Sequence, residues 1–174
     1  MWQPSDSFEI PLGDCVDSFV KGWLVPNFRD AFQAIEYPVS QVLEGLDAAL
    51  TAIPMPVFAV ALALIAWMTA GRGIAIFTLI GLLFLDLIGV WPETMTTLAM
   101  ILTAVIFCAL VGVPLGIAAA GSDRFAEGIR PVLDVMQTIP PFVYLVPIVM
   151  LFGVGMAPGI IATIIFALPP IIRL

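Results

Sequence analysis

Apolar positions run in long blocks through the second two-thirds of the chain, and the polar positions between them are few. Five blocks read as membrane-spanning helices at about 54–71, 74–91, 95–120, 132–154 and 158–172. Each approaches the ~20 apolar residues that cross a bilayer as a helix. Gly71-Arg72-Gly73 marks a tight turn after the first, and Trp91-Pro92-Glu93 closes the second. The third contains Gly112-Val113-Pro114-Leu115-Gly116, which predicts a kink or local unwinding. Ahead of these blocks the pattern is different. Phe28, Phe32 and Ile35 recur at helical spacing opposite Arg29, Asp30, Gln33 and Glu36, and after Pro38 a second stripe runs through Val39, Val42, Leu43, Leu46 and Leu50. That stripe fits a helix in the membrane interface or one packed against protein. The expected fold is an all-α polytopic membrane bundle of about five spanning helices after an amphipathic N-terminal tail. Its expected divisions are an extracytoplasmic acidic tail over 1–53, two accessory helices over 54–93, and a core over 94–174.

Composition agrees with a bilayer environment. Hydrophobic residues make up 61% of the 174-residue chain and charged residues 11%, where a soluble domain carries about 25% charged residues. The net charge of −7 is concentrated at the start: residues 1–50 hold eight acids against Lys21 and Arg29, leaving −6. With six basic residues and no basic run, nucleic-acid binding has no electrostatic support. The remaining arginines are Arg72, Arg124, Arg130 and Arg173. Five crossings put all four on one side, which the positive-inside rule makes cytoplasmic. The N-terminus is then outside and the C-terminal end of the chain inside, in a multi-pass membrane protein. No signal peptide is visible in the acidic start, so the first membrane helix is expected to direct insertion.

Chemistry is narrowed mainly by what is missing. Without histidine there is no Ser-His or Cys-His pair, and no clustered soft ligands suggest a metal. Cys15 in the tail and Cys108 in an apolar run are poor disulfide partners. No phosphate-binding loop exists, so an ATP-driven mechanism requires a separate ATPase. The chain does not read as an enzyme by itself.

The most informative stretch is 129–173, divided by prolines at 131, 140, 141, 147, 158, 169 and 170. Polar groups and helix breaks at membrane depth are costly unless they face protein or a water-filled path. Gln137, Thr138 and Tyr144 are the candidates for lining that path, and Pro114, Pro140, Pro141 and Pro147 for breaking or gating helices. Gln137 and Tyr144 share a face if Pro140-Pro141 does not rotate the register. Asp134 reads as an ion-pair partner of Arg130 at i−4, at a helix start where an acid suits the dipole. Asp86, in LFLDLIGVW, is either a functional intramembrane acid or an acid snorkelling toward the nearby interface. Gly112, Gly116 and Ala118–Ala120 suit close helix approach, and Trp67 and Trp91 suit interfacial aromatic belts.

Four pieces carry a family resemblance: PMPVFAVALALIAW (54–67), TLAMILTAVIFCALVGVPLGI (97–117), RPVLDVMQTIPPFVYLVPIVMLFGVG (130–155) and PGIIATIIFALPPIIRL (158–174). They resemble the inner-membrane permease subunit of glycine betaine/proline betaine ABC importers. The resemblance implies a translocation path for an osmoprotectant and a permease homodimer. It also implies cytoplasmic ATPase subunits that bind the ATP, and an external betaine-binding protein. The last three expected helices would be the first three of a five-helix permease core. In that family a cytoplasmic coupling helix follows the third core helix, where this sequence stops at Leu174. The chain therefore resembles the N-terminal half of such a permease, able to insert but not to couple ATP hydrolysis to transport. A truncated, non-transporting membrane protein and an ATP-independent secondary transporter or channel remain as alternatives.

Overall fold

The computed structural model describes Ser18, Gly22, Trp23 and residues 25–173. In chain order the helices are α1 (Val25–Thr51), α2 (Met55–Ala70), α3 (Arg72–Leu87), α4 (Trp91–Gly121), α5 (Asp123–Thr138), α6 (Pro141–Phe152) and α7 (Met156–Arg173). No strand occurs among the described residues. The protein is thus an all-α bundle. Cys15 and the tail acids Asp6, Glu9, Asp14 and Asp17 lie outside the described residues, as do the side chains of Phe28, Arg29 and Phe32.

Two helices are long and apolar enough to cross a membrane alone, α4 with mean hydropathy 2.6 and α7 with 1.7. Counting each sharply bent pair as one span raises the number to four: residues Gln33–Thr51 of α1 with α2, bent by 96°, and α5 with residues Phe142–Phe152 of α6, bent by 97°. At 16 residues each, α2 and α3 are about 24 Å long, short of a ~30 Å hydrocarbon core. They form a hairpin whose turn, Gly71, has φ +94°, a backbone angle that side chains with a Cβ rarely adopt. The hairpin meets the rest of the bundle near its Pro54 end, where the Phe58 and Trp91 rings stand edge to face at 5.7 Å.

The expected span over 132–154 does not form as one helix. It is split between the last turns of α5 and all of α6, with Ile139 and Pro140 extended between them. A proline disfavours the helical region for the residue before it. Pro140 acts on Ile139 (φ −81°, ψ 127°) and Pro141 acts on Pro140 (φ −56°, ψ 140°). Two extended residues in a row turn the chain through a near right angle, and Pro141 then opens α6 where its missing N–H costs nothing. By contrast, α4 is helical straight through Pro114, so the expected local unwinding is absent there. Pro147 likewise lies inside α6. Pro38 sits inside α1 with its side chain exposed.

The core lies between α1, α4, α6 and α7. Val39 and Leu43 of α1 meet Ala99 and Ala104 of α4, Ile148 of α6, and Ala157, Ile160 and Ile161 of α7. The second stripe of the tail is therefore packed against protein, with Leu46 and Leu50 against the same cluster. Along α4 the residues facing α7 are small at four-residue steps through Ala104, Cys108, Gly112 and Gly116. A Cβ on Gly112 would lie 2.7 Å from Ile171 Cγ2, and one on Gly116 would lie 3.4 Å from the Ile172 carbonyl oxygen. The Cys108 thiol donates to the Ile164 carbonyl at 3.7 Å. Small residues let two membrane helices approach where no hydrophobic effect drives them together.

Candidate functional site

Thr138 and Tyr144, two of the three sequence-predicted polar candidates, meet at the elbow between α5 and α6. The last carbonyls of α5 would be orphaned there, because the helix has no further turn to bond them. Those of Val135 and Met136 are taken up locally. The Tyr144 hydroxyl, one turn into α6, reaches back to donate toward the Met136 carbonyl at 3.0 Å and the Val135 carbonyl at 3.3 Å. Thr138 Oγ1 donates to the Val135 carbonyl at 3.1 Å, and the Ile139 N–H closes on it at 3.2 Å. Tyr144 is half-buried and packs against the bundle core. Its hydroxyl therefore braces the bend. Gln137 is exposed on α5, on the far side of the elbow, so the shared helix face expected for Gln137 and Tyr144 does not exist. Of the proline candidates, Pro140 and Pro141 form the break itself.

A second cluster joins α5 to the end of α7. The Asp134 carboxylate pairs with the Arg173 guanidinium of α7. The expected partner was Arg130, one turn back on the same helix. The real partner lies 39 residues along the chain, brought in because Leu133 seats α5 on the ends of α4 and α7. Beneath it is a cavity of about 250 Å³, lined among others by Gly116, Ala119 and Ala120 of α4, Arg130 and Leu133 of α5, and Arg173. The small residues of α4 thus do two things. Gly112 and Gly116 admit α7, while Ala119 and Ala120 leave space under α5.

Asp86 belongs to neither cluster. It is exposed on α3 among exposed Leu83, Phe84 and Leu87, within one turn of the helix end, and its carbonyl accepts from the Gly89 N–H at 2.9 Å. It does not line the cavity under α5. Trp67 is half exposed at the other tip of the hairpin, with the Arg72 guanidinium 5.6 Å from its ring centroid, an arrangement suited to a membrane interface. Among the described residues no group of three or more Cys, Asp or Glu side chains could hold a metal ion.

The elbow and its neighbours lie in the part of the chain that is similar to a known family. The binding-protein-dependent transport system inner membrane component family matches residues 112–174, from the close-packed half of α4 through α5, α6 and α7. The glycine betaine/proline betaine transport system permease protein ProW of Escherichia coli K12 is 52% identical over 165 residues, 95% of this chain and 46% of that protein. The chain is a homologue of part of such permeases. The glycine betaine transport system permease protein OpuAB of Bacillus subtilis 168 is 42% identical, over 95% of this chain and 58% of its own length. The glycine betaine/carnitine transport permease protein GbuB of Listeria monocytogenes is 34% identical, over 95% and 59%. The chain spans about half the length of the curated relatives it matches. These relatives are named as transport permeases rather than enzymes, and the apolar helices make this homologue an integral membrane protein.

Proposed function

We propose that these helices form part of the translocation path of a glycine betaine/proline betaine importer. ATP would be bound and hydrolysed on separate cytoplasmic ATPase subunits, an external betaine-binding protein would deliver the substrate, and two permease copies would enclose the path. The carrying observation is the 52% identity to a betaine-system permease across 95% of the chain. In this reading Gln137 faces the path, while Thr138 and Tyr144 hold the elbow that positions it. The N-terminus would lie outside the cell and the end of α7 inside.

The test is uptake of radiolabelled glycine betaine by cells lacking their own betaine transporters. The native polypeptide carrying this sequence would be expressed with its ATPase and binding protein. Uptake that depends on all three and stops on ATP depletion supports the proposal. Uptake that survives ATP depletion and collapses with the ion gradient replaces it with a secondary transporter. No uptake by the complete set, with the permease inserted, replaces it with a non-transporting membrane protein.

A further inference from the structure

Helix α5 has a wider apolar face than its neighbours cover. At 100° per residue, Ala126, Ile129, Leu133 and Met136 form one stripe. Leu133 is buried and the other three are half-buried, in line with the packing of α5 on α4 and α7. Directly beside it runs a second stripe of Phe125, Val132 and Val135, exposed at 38%, 56% and 55%. The remaining arc carries Asp123, Arg124, Glu127, Arg130, Asp134, Gln137 and Thr138, every one of them exposed. A soluble helix has no reason to keep that second stripe. A helix crossing the bilayer has no room for five charged side chains on one side.

We propose that α5 lies in the plane of the membrane interface, with Phe125, Val132 and Val135 seated in the acyl-chain boundary and the charged arc in water. Three observations commit the stripe to lipid. First, α5 follows the 31-residue span α4 after a single residue, Ser122, and packs on the end of the second span, α7, so it sits where the bilayer surface must be. Second, the 97° elbow turns the apolar α6 away from it, as expected when one helix lies along a surface and the next enters. Third, three side chains fall far short of the roughly 800 Å² per partner that a stable protein interface buries, so a second copy is a poor occupant. Attraction is apolar rather than electrostatic. The helix carries two arginines against three acids, so no preference for anionic lipid is expected. The placement holds whichever substrate the permease carries.

The experiment places single spin labels around α5 in the native polypeptide, with Cys15→Ser and Cys108→Ala as background. Val132→Cys and Val135→Cys report the apolar stripe, Glu127→Cys and Gln137→Cys the polar arc. In phosphatidylcholine vesicles, labels at 132 and 135 should collide with oxygen several-fold more than with a water-soluble nickel chelate. Labels at 127 and 137 should show the reverse, and added phosphatidylglycerol should change neither. Access of the nickel chelate to 132 and 135 would place the stripe in water and overturn the proposal. Exclusion of both reagents would mean that protein covers it. A depth rising steadily from 127 to 137 regardless of face would mean that α5 spans. Reaction of the same cysteines with a water-soluble maleimide in native membranes gives the faces independently of purification. Equal labelling of 127 and 132 there would also overturn the proposal.

Discussion

The Tyr144 hydroxyl spends its single proton on the carbonyls that end α5, and this decides what its loss should do. Tyr144→Phe keeps the ring in the core and removes only the brace. The expected cost is about 0.5–1.5 kcal/mol, the net worth of an ordinary hydrogen bond. It should appear as a lowered unfolding temperature in detergent and slower betaine uptake, with membrane insertion unchanged. Uptake and stability both equal to the parent would remove Tyr144 from the elbow mechanism. Asp134 and Arg173 call for a smaller number. Their side chains are 63% and 38% exposed, and exposed ion pairs contribute about 0–1 kcal/mol. A double-mutant cycle of Asp134→Asn with Arg173→Gln should give a coupling within that range, shrinking further in high salt. Sequence spacing pointed to Arg130 because it registers only neighbours along one helix. Once the chain turns at Pro140, a residue 39 positions away becomes nearer than one turn back, and no local pattern records that.

At the scale of helices, periodicity and apolar length placed the hairpin, α4 and α7 to within a few residues, because each helix forms from a single apolar run. They failed over 132–154, where averaged hydropathy hides the conformational demand of Ile139-Pro140-Pro141. The pair was legible as a candidate helix break. What was not legible is that successive X-Pro restrictions fix two extended residues and so a right angle. Replacing both prolines by alanine lifts those restrictions, and α5 and α6 should straighten toward one helix. The distance between spin labels at Glu127 and Val149 should lengthen accordingly. An unchanged distance would assign the bend to packing instead. The α4–α7 contact supports an equally direct comparison. Gly112→Ala puts a Cβ 2.7 Å from Ile171 Cγ2 and 3.2 Å from Ile171 Cβ, atoms close to the backbone that cannot swing away, whereas nothing lies within 4 Å of a Cβ on Gly121. Gly112→Ala should therefore cost about 1–3 kcal/mol by overpacking. Gly121→Ala should be near neutral, and equal melting of the two would mean the helices are not so close.

For the whole molecule the open quantity is which way it faces. Arg130 and Arg173 line one cavity under the C-terminal end of α4, and Arg124 follows that end by three residues. At the other end of the same 31-residue helix stands Glu93, with no basic residue between Val90 and Gly121. A helix of that length and apolarity must put its two ends on opposite sides of the bilayer, at about 46 Å separation if straight. Basic residues near span ends are retained on the cytoplasmic side, while acids contribute little to the choice. The cluster at one end of α4 therefore supports the proposed direction better than any count over the chain, because packing on α5 and α7 ties three arginines to one surface. With native cysteines replaced, a membrane-impermeant maleimide added to intact cells should label Glu93→Cys and spare Arg124→Cys. Permeabilising the cells should expose Arg124→Cys. The opposite pattern would turn the bundle over, place α5 and its cavity at the outer surface, and disqualify that end as the side facing an ATPase.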